Sequence, residues 1–177
     1  NEYQKMIIKK TGFYSGSGPC QCGALIGGAS KVDLKNIGIF GEAIGIGFQI
    51  RDDLLNLTES SAYYPPSPGA GGYGKEKGGD ILEGKRTLIT IELFNRLSKK
   101  DAKLLRQILL KSREDVSNQD IEWVINCAHN SGAITAVTNY CLNKADLASN
   151  LLEKLPEHPA KILLKQLVDY LTLDRKA

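Results

Sequence analysis

The stretch Gly47-Phe48-Gln49-Ile50-Arg51-Asp52-Asp53-Leu54-Leu55-Asn56 decides how this chain is read. Two adjacent carboxylates stand in an apolar run, with Ile44-Gly45-Ile46 before it and Leu57 after it. On a helix, Gln49, Asp52, Asp53 and Asn56 fall at i, i+3, i+4 and i+7 and share one stripe. The stripe continues upward through Gly45 and Gly41, which have no side chain to fill space. Paired carboxylates on so apolar a helix call for a cation. Carboxylates clustered with amide oxygens suit a hard ion such as Mg²⁺, and Mg²⁺ held by few carboxylates usually holds phosphate oxygens as well. The plainer alternative is a helix with two solvated acids, since Asp on helices is mostly exposed.

Working outward, the same period of 3.6 recurs from end to end. The chain from Asn1 to Ser15 reads as a loosely periodic helix, which Gly16-Ser17-Gly18-Pro19 is expected to interrupt or bend. Residues 33–47 read as helical, with Gly38, Gly41 and Gly45 near one face. Each glycine there costs roughly 1 kcal/mol against alanine, so close approach of a second helix or a ligand is the expected reason for them. The segment from Thr58 to Gly79, with Pro65-Pro66, Pro68-Gly69 and Gly71-Gly72, reads as a loop. Helical patterns resume over 81–97, from Lys99 through Leu109, over 118–129, over 132–155 and over 160–173, with a turn at Pro156-Glu157-His158-Pro159. No strand and no internal repeat is expected, and the fold class is all-α.

The 177 residues are enough for one domain with a sizeable core. A net charge of +3, evenly spread, gives no argument for a nucleic-acid partner. Apolar runs are broken well short of the ~20 residues that a transmembrane helix needs, and no signal peptide is visible. The first residue is Asn rather than Met, so a processed or partial product is expected. Cys20-Gln21-Cys22 is too tightly spaced for a zinc knuckle, and Cys127 and Cys141 with His129 fit no ligand pattern. Reduced, buried cysteines in a cytoplasmic protein are expected instead.

A second constellation runs from Gly74-Lys75 through Gly79-Asp80-Ile81 to Glu83-Gly84-Lys85-Arg86-Thr87-Leu88. Glycines let backbone approach an anion, and lysines supply mobile positive charge for phosphate. A flexible basic surface loop is the plain reading of the same residues. Gly69 to Gly74-Lys75 has the spacing of a nucleotide-binding loop, but Glu76 stands where Ser or Thr is needed and no strand precedes it. Lys10-Thr11 adds a cation and a hydroxyl near the end of the first helix, a pair without meaning by itself. His129 and His158 have no partners for a hydrolase triad.

Taken together, these segments resemble the trans-isoprenyl diphosphate synthases (polyprenyl synthetases), the farnesyl and geranylgeranyl diphosphate synthase family. Phe48 to Asn56 is similar to the second aspartate-rich motif of that family, Gly74 to Leu88 to the segment after it, and Lys10-Thr11 with Pro19 and Gly23-Ala24-Leu25 to its Lys-Thr helix. The resemblance implies a terpenoid-synthase (isoprenoid synthase type I) helical bundle around a central cavity. It implies condensation of an allylic prenyl diphosphate with isopentenyl diphosphate to a short-chain prenyl diphosphate. On this resemblance Asp52 and Asp53 hold Mg²⁺, with Asp80 joining through water; Lys75 and Lys85 contact the allylic diphosphate; and Lys10, Thr11 and Gln49 stabilise the allylic cation. Asn56 occupies a position that is Asp in many members, and a water-mediated or secondary role at the metal is expected of it. A homodimer is expected from the same resemblance.

The first aspartate-rich motif and the isopentenyl-diphosphate-binding Gly-Lys segment of that family are not found in this sequence. Residues 1–177 therefore read as the C-terminal half of a single prenyl synthase domain, inactive alone, whose partner is the N-terminal half of the same synthase. Two other readings stand beside it. A non-catalytic partner subunit of such a synthase has no need of Asp52-Asp53, Asp80 and Lys85. A class I terpene cyclase shares the fold but is a poorer match to residues 74–88.

Overall fold

The computed structural model describes residues 2–58 and 77–174. Among them there is no strand, as the periodicity predicts. The helices are α1 (Glu2–Ile7), a π-helical segment (Ile8–Ser17), α2 (Gly18–Ile26), α3 (Lys31–Thr58), α4 (Gly79–Leu82), α5 (Leu88–Arg96), α6 (Lys99–Leu109), α7 (Asn118–Asn130), α8 (Ala133–Leu152) and α9 (Pro159–Asp169), which a second π-helical stretch extends over Tyr170–Asp174. No helix among the described residues is long and apolar enough to cross a membrane. The chain divides into two compact units, Asn1–Arg51 with Asn139–Arg175, and Asp52–Thr138 with Lys176–Ala177.

In the first unit the core is built from Phe40, Ala43 and Ile44 of α3, Ala145, Ala148, Leu151 and Leu152 of α8, and Val168 of α9. The chain is not interrupted at Gly16-Ser17-Gly18-Pro19 but stays helical through them. Pro19 is the second residue of α2, where the ladder goes on without its N–H. Gly16 is needed for contact: a Cβ there would lie 1.9 Å from the Gly41 carbonyl oxygen, and one on Gly41 would lie 2.6 Å from that of Gly16. The π-helical segment and α3 thus touch backbone to backbone, which answers the question posed by the glycine face of α3. Cys141 is buried, and its thiol donates to the carbonyls of Gly47 at 3.4 Å and Thr172 at 3.6 Å. Lys161 is buried too, and its ammonium reaches Glu157 at 2.6 Å and Glu153 at 3.5 Å.

In the second unit α5 packs on α6 and α7, and α4 on the same two helices. Ile81, Ile89, Leu93, Leu105, Ile108, Val124 and Ala128 form its buried interior. Ser98 and Ser117 cap α6 and α7, and at Ser117 the reciprocal bond from Asp120 completes a capping box. The sequence predicts one helix over 81–97, whereas the chain forms α4, a turn and then α5. Gly84 adopts φ +60° in that turn. Thr87 then starts α5 by accepting the Thr90 N–H at 3.4 Å. Thr58 closes α3, so the helix runs further than the loop expectation allowed.

Candidate functional site

The candidate residues fall into two groups of polar side chains, one in each unit. The first is Thr11 with Gln49. Thr11 lies on the π-helical segment and is buried; its hydroxyl donates to Gln49 Oε1 at 3.2 Å, across 38 positions of sequence. The contact depends on the bare backbone beside it: a Cβ on Gly45, one turn before Gln49, would lie 2.8 Å from the Thr11 carbonyl oxygen. A hydroxyl that spends its proton on an amide oxygen keeps its own lone pairs, so Thr11 Oγ1 presents negative partial charge. Lys10 is exposed.

The second group is Asp52, Asp53 and Asn56 at the end of α3, with Asp80 and Lys85 around α4. Asp53 is buried at 7% exposure and Asp52 half-buried. Asp53 and Asp80 line one recess together with Lys85, Thr87, Thr90 and apolar side chains. Its open room is about 10 Å³, close to the space that one water requires. Lys85 Nζ bonds Asp80 Oδ1 at 2.8 Å and Glu83 Oε2 at 2.9 Å, and Arg113 stands 3.7 Å from the other oxygen of Glu83. The hydrogen bond it donates to Asp80, with further support from Glu83, pushes the Lys85 ammonium above its ordinary value, and the bond from Lys85 holds Glu83 below its own. Lys85 is therefore a cation at every physiological pH.

The local fold explains this placement. Gly78 adopts φ +77°, a conformation that side chains disfavour, and a Cβ there would also lie 2.5 Å from Ile121 Cγ2. The chain can therefore turn sharply into α4. Its start is held by Asn56, whose Oδ1 accepts the Asp80 N–H at 3.0 Å. The first N–H groups of a helix lack partners within it, and a side-chain oxygen that supplies one is worth about 1 kcal/mol. At the other end the Lys85 N–H donates to the Asp80 carbonyl at 2.9 Å, which folds the lysine back beside that carboxylate.

The donor set fits a hard divalent cation. Every candidate atom is an oxygen: Asp53 and Asp80 line the recess, and Asp52 is the neighbour of Asp53 in sequence. Among the described residues no three acids, histidines or cysteines form a cage of their own. Mg²⁺ commonly uses only one or two carboxylates and shares the rest of its shell between waters and substrate phosphates. The structure thus brings Thr11 to Gln49, and Asp80 to Asp53, Asn56 and Lys85. Lys75 and most of the Pro/Gly-rich loop lie outside the described residues. Sequence reading missed Glu83 as a partner of Lys85, although the spacing Asp80-x-x-Glu83-x-Lys85 signals it. It also missed Thr87 and Thr90, which the pattern of a capping residue before Leu88-Ile89 could have revealed.

Comparison with known proteins agrees on one family. The polyprenyl synthetase family model matches residues 1–128. The chain is 34% identical over 175 residues to the geranylgeranyl pyrophosphate synthase of Geoglobus acetivorans, covering 97% of this chain and 48% of that protein. It is 30% identical over 171 residues to the geranylgeranyl diphosphate synthase of Methanosarcina mazei, covering 97% and 47%. Among solved structures it superposes on geranylgeranyl pyrophosphate synthase from Corynebacterium glutamicum, complexed with isoprenyl diphosphate and magnesium, with a TM-score of 0.80 and 28% identity. That match covers 94% of this chain and 44% of the other. The helices described above are thus those of the isoprenoid synthase fold. The chain spans about half the length of the curated relatives it matches.

Proposed function

This chain belongs to the polyprenyl synthetase family, and on that premise we propose that it is the C-terminal half of a prenyl synthase domain, whose complete protein joins an allylic prenyl diphosphate to isopentenyl diphosphate. The product is a short-chain prenyl diphosphate, of farnesyl to geranylgeranyl length; the names of the relatives support that class. The observation that carries the reading is the Asp53–Asp80–Lys85 group: acids and a cation gathered at one recess by the turn at Gly78. A cytoplasmic homodimer belongs to the same proposal.

In this reading the allylic C–O bond breaks, the C1 carbon becomes cationic and the bonding pair stays on the diphosphate. Asp52, Asp53 and Asp80 would hold Mg²⁺, which would supply positive charge to offset that gathering on the diphosphate oxygens. Lys85 sits beside Asp80 as a permanent cation, able to turn its ammonium from Glu83 to an incoming diphosphate oxygen. Lys75 adds a second positive charge from the preceding segment. Thr11, with its proton committed to Gln49, directs oxygen lone pairs at the allylic cation, and the exposed Lys10 attracts the anionic substrate. The new C–C bond forms from the double bond of isopentenyl diphosphate, and the released diphosphate accepts the proton that is lost. No histidine or glutamate is then required as a base.

The test supplies the complete protein with Mg²⁺, an allylic diphosphate and labelled isopentenyl diphosphate. A longer labelled prenyl diphosphate is expected. Replacing Asp53 by Ala should lower turnover by about 10²–10³-fold, the cost of losing electrostatic stabilisation of a developing charge. A product-free reaction of the native protein, or a near-normal rate in Asp53→Ala, would overturn the reading.

A further inference from the structure

Asn56 is 7% exposed, and both of its oxygens are spent on one short segment. Its side-chain Oδ1 accepts the Asp80 N–H at 3.0 Å. Its main-chain carbonyl accepts the Gly78 N–H at 2.8 Å. The last carbonyls of α3 and the first N–H groups of α4 have no partners inside their own helices. The Gly78 N–H supplies one to the end of α3, and the Asn56 Oδ1 supplies one to the start of α4. Asn56 splices the two helices across the segment between them, and it does so within two residues of the acid that faces the recess.

We propose that Asn56 is a positioning residue for Asp80 and not a ligand of the metal. The inference rests on the role given above to Asp80, and it departs from what the family resemblance implies for this position. The residue types support it. Charge stands at 52, 53 and 80, whereas position 56 carries a neutral amide whose oxygen already has a proton donor. An amide can hold a main-chain N–H without adding a further negative charge one turn from the buried Asp53. Held by this bond, the first turn of α4 points the Asp80 carboxylate at Lys85 and at the recess lined by Asp53.

The experiment reads amide hydrogen exchange over residues 77–83 in the complete, Mg²⁺-free protein, where no ligand role can contribute. Asn56→Ala should speed exchange of the Asp80 amide at least tenfold. Asn56→Asp retains an acceptor and should restore the protection. Should Asn56→Ala fail to fold, Asn56→Ser, whose hydroxyl is too short to reach, takes its place. In the presence of Mg²⁺, Asn56→Ala should lower kcat about tenfold in the native background and have no further effect in an Asp80→Ala background. Unchanged exchange, or an equal rise in the Mg²⁺ half-saturation in both backgrounds, would overturn the inference. If the native protein formed no prenyl product, the proposed function would fall while the exchange result still decided the role of Asn56.

Discussion

Thr11 with Gln49 and Asp53 with Asp80 are held in place by opposite means. In the first, main chains meet with nothing between them. The π-helical segment reaches α3 through Gly16 on Gly41 and Thr11 on Gly45, and the side-chain bond follows from that approach. In the second, the acids come from a helix end and a short turn, joined by individual hydrogen bonds and ion pairs. A backbone contact cannot give by rotating a side chain, whereas a hydrogen-bonded turn can exchange partners. In the proposed function, the fixed geometry is assigned to stabilising a short-lived cation and the adjustable one to binding and releasing diphosphate.

The sharpest way to break this comparison is Gly41→Ala. Alanine favours a helix by roughly 0.5–1 kcal/mol, but the new methyl would stand 2.6 Å from a carbonyl oxygen that cannot move aside. Overpacking of this kind costs about 1–3 kcal/mol, so a net loss is expected in denaturant titration. Gly38→Ala is the control, because the nearest atoms its methyl meets are Nε2, Cδ and Cγ of the flexible Gln21 side chain and not main chain. It should be neutral or slightly stabilising. Equal losses in the two variants would mean that the glycine contact does not set the approach of the helices.

Thr11→Val sharpens the same contrast. It keeps the shape and removes the hydroxyl, so stability should change by less than about 1 kcal/mol. The turnover of the complete protein should fall about tenfold, with KM for both substrates nearly unchanged, as for an interaction made chiefly in the transition state. A change confined to KM would place Thr11 in substrate binding instead.

The glycine face of α3, the Asp52-Asp53 pair and the helical periods were legible because each is a local pattern read along one element. What lay beyond the sequence depended on distant partners. Asn56 and Asp80 are 24 positions apart, and only the fold shows that an amide, placed on the stripe as a ligand, is turned onto a main-chain N–H. The break between α4 and α5 was hidden for a related reason: Ile81-Leu82 and Leu88-Ile89 keep a helical rhythm across Gly84, but the chain turns there with φ +60°. The π-helical segment escaped because its side chains do not repeat every 3.6 residues, which left Phe13 out of step with Tyr3 and Ile7 of α1.

The smallest effect concerns pH and lies away from both groups. Hydrogen bonds from Lys111 and from the Ser117 N–H lower Asp120 from its ordinary 3.8 to about 2. The folded value lies below the unfolded one. The stability from this carboxylate is therefore full above about pH 4 and is lost as pH falls through about 2. Urea titrations at pH 7 and pH 2 should show Asp120→Asn weaker than native at pH 7 and nearly equal to it at pH 2. A gap that persists at pH 2 would show that the capping box of α7 owes little to charge.

The π-helical segment also constrains how this part of the chain can change in length. Surface loops tolerate gained or lost residues because their ends stay put. From Ile8 to Ser17 the chain instead counts residues. Removing one would let the segment tighten into ordinary helix, and each residue of an α-helix advances the side chains by about 100°. Thr11, Gly12 and Gly16 could not then all keep facing α3. A single-codon deletion there would act as a shift in reading frame for side-chain direction, separating Thr11 from Gln49 while every named residue was still present.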